Sequence, residues 1–304
     1  MLSRAEKSEQ ILKEWEEEER KERRKRTILL WTKIILISII VIFGSFYYMR
    51  FVGTSGLCVR EYRVVNSKLP SSFHGLKVIH FSDLHYNSTF SLKNLKVLVK
   101  KINQLKPDIV VFTGDLTDKD SEITENDLKN LVEQLNKIEA TLGLYAVRGN
   151  HDYETSNFDV VFTKTAFKIL DNNYDFIYSK GTTPILITGF GSKLKEDFNP
   201  TQAFSFPSEE SFFTIALTHE PDTTTDILNH YPAQLILSGH SHNGQIRLPK
   251  IGAIYTVSGA KKYPNEYYKI DHSDLFVSGG LGTSGYKFRL FNRPSINLYR
   301  IVEK

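Results

Sequence analysis

The chain has 304 residues, of which 40% are hydrophobic and 24% are charged. This composition is close to that of soluble globular proteins, and it excludes a wholly disordered chain or a protein with many membrane spans. The formal net charge is only +4 and the basic residues form no stripe interleaved with aromatic residues, so nucleic-acid binding is not expected. The sole cysteine, Cys58, excludes an intrachain disulfide framework and any CxxC metal site. Any metal ion must therefore be bound by His, Asp and Asn side chains.

A highly charged tail, residues 1–26, precedes an almost entirely apolar stretch, residues 27–49. The tail cannot bury a core and is typical of a solvated helical or frayed segment. About 23 apolar residues at ~1.5 Å rise per residue span ~35 Å, which is enough to cross a ~30 Å hydrocarbon layer. We therefore predict one transmembrane anchor helix over 27–49. A cleavable signal peptide is the alternative, but the tail is long and no A-x-A pattern follows the apolar stretch.

The charges on either side of the apolar stretch predict its orientation. Six Lys or Arg residues lie just before it, between positions 20 and 26, and only Arg50 lies just after it. Because positive charge is retained on the cytoplasmic side, the tail is expected in the cytoplasm and the rest of the chain outside the membrane. The sequence therefore predicts a single-pass protein of the cell membrane with an extracytoplasmic domain.

Beyond the anchor, a linker and entry strand at 50–75 lead into strand-length apolar runs that alternate with helix-period segments. This alternation predicts one α/β domain over 76–304, since no repeat or low-complexity linker divides it. The last part, 246–304, has strand-like runs without intervening helices, and we expect it to complete a second sheet. The predicted strands lie near 77–82, 108–113, 143–148, 185–190, 212–218, 234–238, 254–257, 275–277 and 296–299, and the predicted helices near 92–105, 124–140 and 158–170.

Polar side chains follow five of the predicted strands at their carboxyl ends, where open α/β sheets form ligand crevices. A lone histidine at a strand end is more often a packed or surface residue than a ligand. Here, however, five of the nine histidines share this position with acidic or amide side chains. The residues concerned are Asp83, His85, Asp115, Asp118, Asn150, His151, His219, His240 and His242. The remaining histidines lack such neighbours: His80 is predicted to be packed in the core, and His74, His230 and His272 to lie on the surface.

This mixture of donors suits metal-assisted hydrolysis of a phosphate ester. At neutral pH the reaction requires charge neutralisation on the phosphate oxygens and a hydroxide made from water, and two divalent ions ~3.5–4 Å apart supply both. Imidazole and carboxylate ligands without thiolates favour manganese, with iron and zinc as alternatives. Three Asp or Asn and four His ligands are enough for two ions that still have room for water and substrate.

The sequence contains, in this order, the motifs D-x-H, G-D-x-x-D, G-N-H-D, H and G-H-x-H. Because of these motifs, it resembles the calcineurin-like metallophosphoesterase superfamily over about residues 75–304. The strings GHSHNGQIRLP (239–249), THEPD (218–222) and GLGTSGYKFRLFNRP (280–294) resemble a bacterial subgroup of membrane-associated, phosphodiesterase-like proteins. The resemblance implies a two-sheet α/β/β/α sandwich with metal ions at the sheet edges, preceded here by the transmembrane helix.

The resemblance also implies roles for individual residues. His151 would stabilise the transferred phosphoryl group or protonate the leaving oxygen, and Asp118 would orient His151, with a helix N-cap as the alternative role for Asp118. Asp152 is a weaker candidate for a role in the site, because a role as a turn residue is equally plausible. The metal ligands would be Asp83, His85 and His242 for the first ion, Asp115 as the bridge, and Asn150, His219 and His240 for the second ion.

Two positions depart from related patterns. Lys119 and Asp120 follow the second motif where protein phosphatases continue into an arginine, which argues against a protein phosphatase. Ser295 stands where the bacterial subgroup often has glutamate.

The predicted function is dinuclear-metal-dependent hydrolysis of phosphate esters on the outer face of the membrane, with a metal-bridging hydroxide as nucleophile. The expected substrate is an envelope component, and the sequence leaves open whether it is a monoester or a diester. A non-catalytic, membrane-anchored phosphate-binding module is the alternative. Cleavage of a cytoplasmic nucleotide-linked lipid precursor would conflict with the predicted topology.

Overall fold

The computed structural model describes residues 3–206 and 211–304. The chain forms two compact units, Met1–Tyr48 and Met49–Lys304. The helices are α1 (Arg4–Tyr47), α2 (Leu92–Leu105), α3 (Glu125–Leu135), α4 (Asn157–Phe162), α5 (Pro200–Ala203) and α6 (Thr224–His230). The strands are β1 (Cys58–Val65), β2 (Leu76–Phe81), β3 (Ile109–Thr113), β4 (Gly143–Val147), β5 (Lys168–Ile169), β6 (Asn173–Ile177), β7 (Ile185–Gly189), β8 (Thr214–Thr218), β9 (Leu235–Ser238), β10 (Arg247–Leu248), β11 (Gly252–Ala253), β12 (Tyr267–Ile270), β13 (Ser273–Val277) and β14 (Ser295–Val302).

The first unit is the helix α1, which runs without interruption through both the predicted tail and the predicted anchor. It begins with a capping box in which Ser3 and Glu6 bond each other's backbone N–H groups. Exposed ion pairs at i,i+4 spacing, such as Glu9–Lys13 and Glu19–Arg23, stabilise the charged half. The helical stretch that ends at Val52 is long and apolar enough to cross a membrane.

The second unit contains two six-stranded sheets and the small β10–β11 hairpin. The first sheet has the order β1-β14-β2-β3-β4-β5, and β2, β3, β4 and β5 are parallel. The second sheet has the order β12-β13-β9-β8-β7-β6, and β13, β9, β8 and β7 are parallel. Long parallel runs explain why these strands are apolar on both faces, as the sequence predicted.

The layers follow the predicted α/β/β/α order. One core lies between the sheets, where Val78 and Val111 from the first sheet pack in the same cluster as Ile215 and Leu237 from the second. A second core joins the first sheet to α2, α3 and α4, and a third joins the second sheet to α6. Burial of both faces of both sheets supplies most of the stabilisation of the unit.

Four predicted elements differ from the structure, and the first is the helix predicted over 124–140, which ends at Leu135. Residues 254–257 are not a strand: Ile254 and Tyr255 are exposed and follow the β10–β11 hairpin, so no layer covers their apolar side chains. The strand predicted at 296–299 exists as β14 but joins the first sheet, between β1 and β2. The helix predicted over 158–170 ends at Phe162, because the hydroxyls of Thr163 and Thr165 bond to nearby carbonyl groups and the chain then enters β5.

The register of the strands brings the predicted site loops together. Phe81 pairs with Phe112 and Thr113 with Val147, so β2, β3 and β4 end at one edge of the first sheet. Thr218 pairs with Ser238, so β8 and β9 end side by side in the second sheet. The five polar clusters that follow these strands therefore meet at one end of the sandwich.

Candidate metal centre

Six of the seven predicted ligands form two buried groups at the end of the sandwich. Asp83, His85 and His242 make one group, and Asp115, His219 and His240 make the other. Within each group the candidate ligand atoms lie within 4.8 Å of one another. The first group contains the three residues that the family resemblance implies for one ion, and the second contains two of the three implied for the other ion together with the predicted bridge, Asp115.

In the first group, Nε2 of His85 lies 3.0 Å from Nε2 of His242, and Oδ1 of Asp83 lies 3.5 Å from the same atom of His242. In the second group, Nε2 of His219 lies 3.2 Å from Oδ2 of Asp115 and 3.2 Å from Nδ1 of His240. The Oδ2 atom of Asp115 is also only 3.6 Å from Nε2 of His85. One carboxylate oxygen thus lies between the two groups, which is the position that a bridging ligand requires.

Asn150 provides an independent test of whether the residues fit metal ions. Its Oδ1 atom is buried and has no hydrogen-bond partner within the protein. Such orphaned acceptors are rare because they lose their bonds to water without replacement. Asn150 directly precedes His151, whose backbone N–H donates to Asp115, and an amide oxygen without a partner in this loop fits a divalent cation that prefers nitrogen and oxygen donors.

The second ring nitrogen of most of these histidines faces a hydrogen-bond acceptor. Nδ1 of His85 lies 2.7 Å from Oδ1 of Asp118, and Nδ1 of His219 lies 2.7 Å from the carbonyl oxygen of Thr113. Nε2 of His240 lies 2.6 Å from the carbonyl oxygen of Ser258. Each acceptor holds the proton on its own side of the ring, so the opposite nitrogen keeps a free lone pair directed at the centre.

His242 differs from the other three histidines. Its Nδ1 atom lies 3.4 Å from Nη2 of Arg289, a fully buried side chain. Burial lowers the pKa of His242 well below its usual range, so the ring is neutral and available as a ligand. Burial also lowers the pKa of Arg289, to about 9, although the carboxylate of Asp83 partly opposes this effect.

Asp115 is held as a carboxylate despite its burial. Burial alone would raise its pKa, but the electrostatic and hydrogen-bonding interactions with His219, together with the interaction with His85, lower the pKa well below its usual range. The carboxyl of Asp152 behaves differently, since burial and the nearby charge of Asp115 raise its pKa to about 7. The centre therefore keeps negative charge on the bridging position.

The backbone at these positions adopts an uncommon conformation. Five of the seven predicted ligands have positive φ angles although none of them is glycine: Asp83, His85, Asp115, His240 and His242. Left-handed backbone is costly for such residues and is concentrated at functional sites. Gly149 approaches so closely that an added Cβ would lie 2.2 Å from Oδ1 of Asp115. The loops therefore position the ligand side chains through a backbone conformation that is locally unfavourable.

His151 lies beside the two groups and is partly exposed. Its backbone N–H donates to Oδ1 of Asp115 at 3.0 Å, and its ring lies 5.5 Å from that of His85. Nδ1 of His151 is 3.1 Å from Oε2 of Glu154 but 3.6 Å from Oδ1 of Asp118. The hydrogen-bonded partner of Asp118 is thus His85, and Glu154 takes the position next to His151 that the sequence assigned to Asp118.

An open cleft of about 740 Å³ runs past His151. Asp118, Lys119 and Lys287 also line it. The cleft therefore reaches the side chain that was predicted to assist the leaving group.

Several residues hold the site loops in place in ways that the sequence did not predict. Asp152 accepts hydrogen bonds from the backbone N–H groups of Asp115, Leu116 and Gly149 and so ties two site loops together. Nδ2 of Asn292 donates to the carbonyl of His242 at 2.5 Å. Arg289 and Asn292 lie in the string GLGTSGYKFRLFNRP, so the resemblance marked the segment but not the function of these two side chains.

Comparison with known proteins decides the family. Residues 76–244 match the model of the calcineurin-like phosphoesterases. The chain belongs to this family. The metallophosphoesterase YkuE of Bacillus subtilis is 31% identical over 264 residues, which cover 85% of this chain and 90% of that protein.

Two further relatives are a pyrophosphatase and a transmembrane protein by their names. UDP-2,3-diacylglucosamine pyrophosphatase LpxG of Chlamydia muridarum is 29% identical, covering 77% of this chain and 87% of that protein. The transmembrane protein with metallophosphoesterase domain of Danio rerio is 28% identical, covering 75% of this chain and 54% of that protein.

These findings confirm the predicted family, fold and enzyme class. The chain is a metallophosphoesterase and therefore a hydrolase, and its family uses a dinuclear centre of divalent metal ions. The N-terminal helix and the transmembrane relatives support membrane association.

Proposed function

We propose that this metallophosphoesterase hydrolyses phosphate esters at a two-ion centre on the outer face of the membrane. The position of Asp115 carries the proposal, since its Oδ2 atom lies within 3.6 Å of His85 in one ligand group and 3.2 Å of His219 in the other. Asp83, His85 and His242 would hold one ion, and Asn150, His219 and His240 the other. The donor set of imidazoles, carboxylates and one amide favours manganese, with iron or zinc as alternatives.

Two divalent ions supply charge neutralisation for the phosphate oxygens and activate water for in-line attack. The chain's own contribution is rigid placement of the ligands. Asp118, Thr113 and Ser258 fix the ring protons of His85, His219 and His240, so these three of the four histidines do not have to reorganise when an ion binds. Asp152 fixes the loops that carry Asp115 and Asn150.

His151 would act on the leaving group. His151 is not fully buried, and it lines the cleft. Its backbone N–H is bonded to Asp115, so the residue lies next to the two ligand groups without belonging to either of them. Glu154 lies 3.1 Å from Nδ1 of His151, and a ring that carries a proton on both nitrogens would keep the Nε2 proton for the leaving group. In this arrangement His151 can donate a proton to a departing oxygen.

A manganese-loaded full chain and its Asp115→Ala and His151→Ala variants test this assignment. The substrates are an artificial phosphomonoester, a phosphodiester and a pyrophosphate. We expect wild-type cleavage that requires metal, loss of at least 100-fold in Asp115→Ala, and loss of about 100-fold in His151→Ala with unchanged metal content. Undiminished activity in both variants would contradict the assignment. Phosphate binding without cleavage of any of the three would instead favour the non-catalytic binding module.

The outward orientation is a proposal from the charge difference across the apolar stretch. It favours envelope material as the substrate over a cytoplasmic nucleotide-linked lipid precursor of the kind that the name of LpxG describes. A reporter fused after Lys304 tests the side of the membrane. Alkaline phosphatase activity without fluorescence from a cytoplasmic reporter is expected, and the reverse pattern would place the site in the cytoplasm.

A further inference from the structure

The most exposed large apolar side chains of the second unit are concentrated in one region. Among its described residues, five such side chains are between 59% and 77% exposed, and every other large apolar side chain is less exposed. We call these five the apolar patch. The apolar patch consists of Ile251, Ile254, Tyr255, Tyr286 and Phe291.

Two segments carry the apolar patch, and hydrogen bonds join them. Ile251 lies in the turn of the β10–β11 hairpin, and the N–H of Ile254 donates to the carbonyl of Ile246. The N–H of Arg247 donates to the carbonyl of Leu290 at 3.0 Å, and Nε2 of Gln245 donates to the carbonyl of Tyr286 at 2.7 Å. The hairpin and the 284–291 loop therefore form one continuous surface.

The same loop also contacts the end of the apolar helical stretch. That stretch runs to Val52, and its last residues belong to the second unit. Within this unit the N–H of Arg289 donates to the carbonyl of Met49 at 3.0 Å, and Nη2 of Arg293 donates to the carbonyl of Ser55 at 3.2 Å. The surface that carries the apolar patch thus includes the first residues of the second unit, which follow helix α1 in the chain.

The charged residues of the segments that form this surface are all basic. Residues 49–58, 244–257 and 284–294 contain no Asp or Glu, although the chain has 35 acidic residues. They contain Arg50, Arg247, Lys250, Lys287 and Arg293, whereas a sixth basic residue, Arg289, is fully buried and does not lie on this surface. Isoleucine and aromatic side chains flanked by Lys and Arg are typical of surfaces that lie in the headgroup region of an anionic bilayer.

We propose that the apolar patch inserts into the surface of the bilayer in which the N-terminal helix is anchored, and that the centre acts on phosphate esters of lipid headgroups there. The second part rests on the proposed hydrolytic function. The link to the centre is short: Gln245 follows His242 by three residues and donates its N–H to the carbonyl of His242, and Arg289 and Asn292 contact His242 directly. A headgroup at the docked surface would therefore lie beside one wall of the centre.

The depth of the apolar patch can be measured without reference to activity. The full chain with Cys58→Ser is reconstituted in vesicles of phosphatidylglycerol and phosphatidylethanolamine and labelled with a nitroxide at Ile251→Cys or Tyr286→Cys. Val97→Cys, an exposed apolar position on α2, is the matched control. We expect the two patch labels to be accessible to oxygen and shielded from a water-soluble nickel complex, and the control label to show the opposite. Patch labels as accessible to nickel as the control would overturn the docking proposal.

The choice of substrate needs a second measurement. The variant Ile251→Glu with Tyr286→Glu and the control Val97→Glu with Tyr178→Glu are compared on one phosphate ester, presented either on a vesicle lipid or in short-chain soluble form. We expect the ratio of the vesicle rate to the soluble rate to fall about tenfold in the patch variant and to stay unchanged in the control. An unchanged ratio in the patch variant would overturn the lipid substrate. If the wild type does not cleave the soluble ester, this result counts against the hydrolytic function. The accessibility of the nitroxide labels would still show whether the apolar patch docks on the bilayer.

Discussion

The carboxylates near His85 and His151 have separate tasks, and this separation can be tested. Asp118 lies 2.7 Å from Nδ1 of His85, whereas Glu154 lies 3.1 Å from Nδ1 of His151. Removing the partner of a metal-binding histidine typically weakens metal affinity 10–100-fold. We therefore expect Asp118→Asn to need about 10–100-fold more metal for half-maximal activity and to recover most of its rate in excess metal.

Glu154→Gln is the matched variant. Because Glu154 contacts His151 and Lys195 but no predicted ligand, the metal requirement should stay within about twofold while kcat falls about tenfold. Metal titrations of activity for both variants separate the two effects. The contrary result is a loss of kcat in Asp118→Asn that excess metal does not restore, together with a normal kcat in Glu154→Gln. This result would show that Asp118 is the partner of His151, as the sequence predicted.

At the scale of the element, the loop after β4 depends on the absence of one side chain. An added Cβ at Gly149 would lie 2.2 Å from Oδ1 and 2.6 Å from the backbone nitrogen of Asp115. Overpacking of this kind usually costs ~1–3 kcal/mol, and here the atoms that must move belong to the bridging position. We expect Gly149→Ala to lose most of its metal binding in calorimetric titration. Gly181→Ala, whose nearest neighbours would be Ser72 side-chain atoms at 3.2 Å, should bind metal normally. Normal metal binding by Gly149→Ala would contradict the close packing of these loops.

The strand β2 carries a buried histidine that should make stability depend on pH. His80 is fully buried, and its Nε2 atom lies 2.8 Å from Oγ1 of Thr113 in β3. Burial lowers its pKa to about 3. In the unfolded chain the imidazole takes up a proton below pH ~6.5, whereas the folded protein does not, so stability is lost as the pH falls from ~6.5 toward 3.

His80→Gln should remove this loss. At ~1.4 kcal/mol per pH unit, the drop in unfolding free energy between pH 7.5 and 5 should be about 2 kcal/mol smaller in His80→Gln than in the wild type. Urea unfolding of the full chain in detergent at both pH values measures the difference. His272→Gln, at an exposed position, should keep the wild-type drop, and a wild-type drop in His80→Gln would show that His80 is protonated in the fold.

The elements that the sequence predicted well are those whose signals are local. The helix 92–105 has apolar side chains at helical spacing and is found with the same bounds, and the parallel strands are apolar on both faces. The sheet to which a strand belongs depends on distant residues: β14 pairs with β1, more than 200 residues earlier in the chain. The run at 254–257 has the apolar residues of a strand, but it has no layer to cover it.

The site shows the same division. The ligand types and their order were visible because each follows a strand end, and the structure brings six of them into two groups. The position of Asp118 against His85, the role of Glu154 and the buried Arg289 depend on contacts between loops, which no local pattern encodes. The positive φ angles of the ligands likewise arise from the assembled loops.

At the scale of the whole molecule, the enzyme combines a membrane-spanning candidate helix with a phosphoesterase unit. A tether of this kind raises the local concentration of membrane-bound substrate without adding any contact to the centre. If the apolar patch also docks, the unit has a fixed orientation at the bilayer. The proposed chemistry in either case depends on two ions that would share Asp115.

Manganese binding to the metal-free full chain in detergent tests this central claim most directly, with stoichiometry measured by elemental analysis and coupling measured by electron paramagnetic resonance. We predict two manganese ions per wild-type chain with an exchange-coupled spectrum, and loss of the coupling in Asp115→Ala. One ion per chain, or two ions whose spectrum shows no coupling in the wild type, would contradict it.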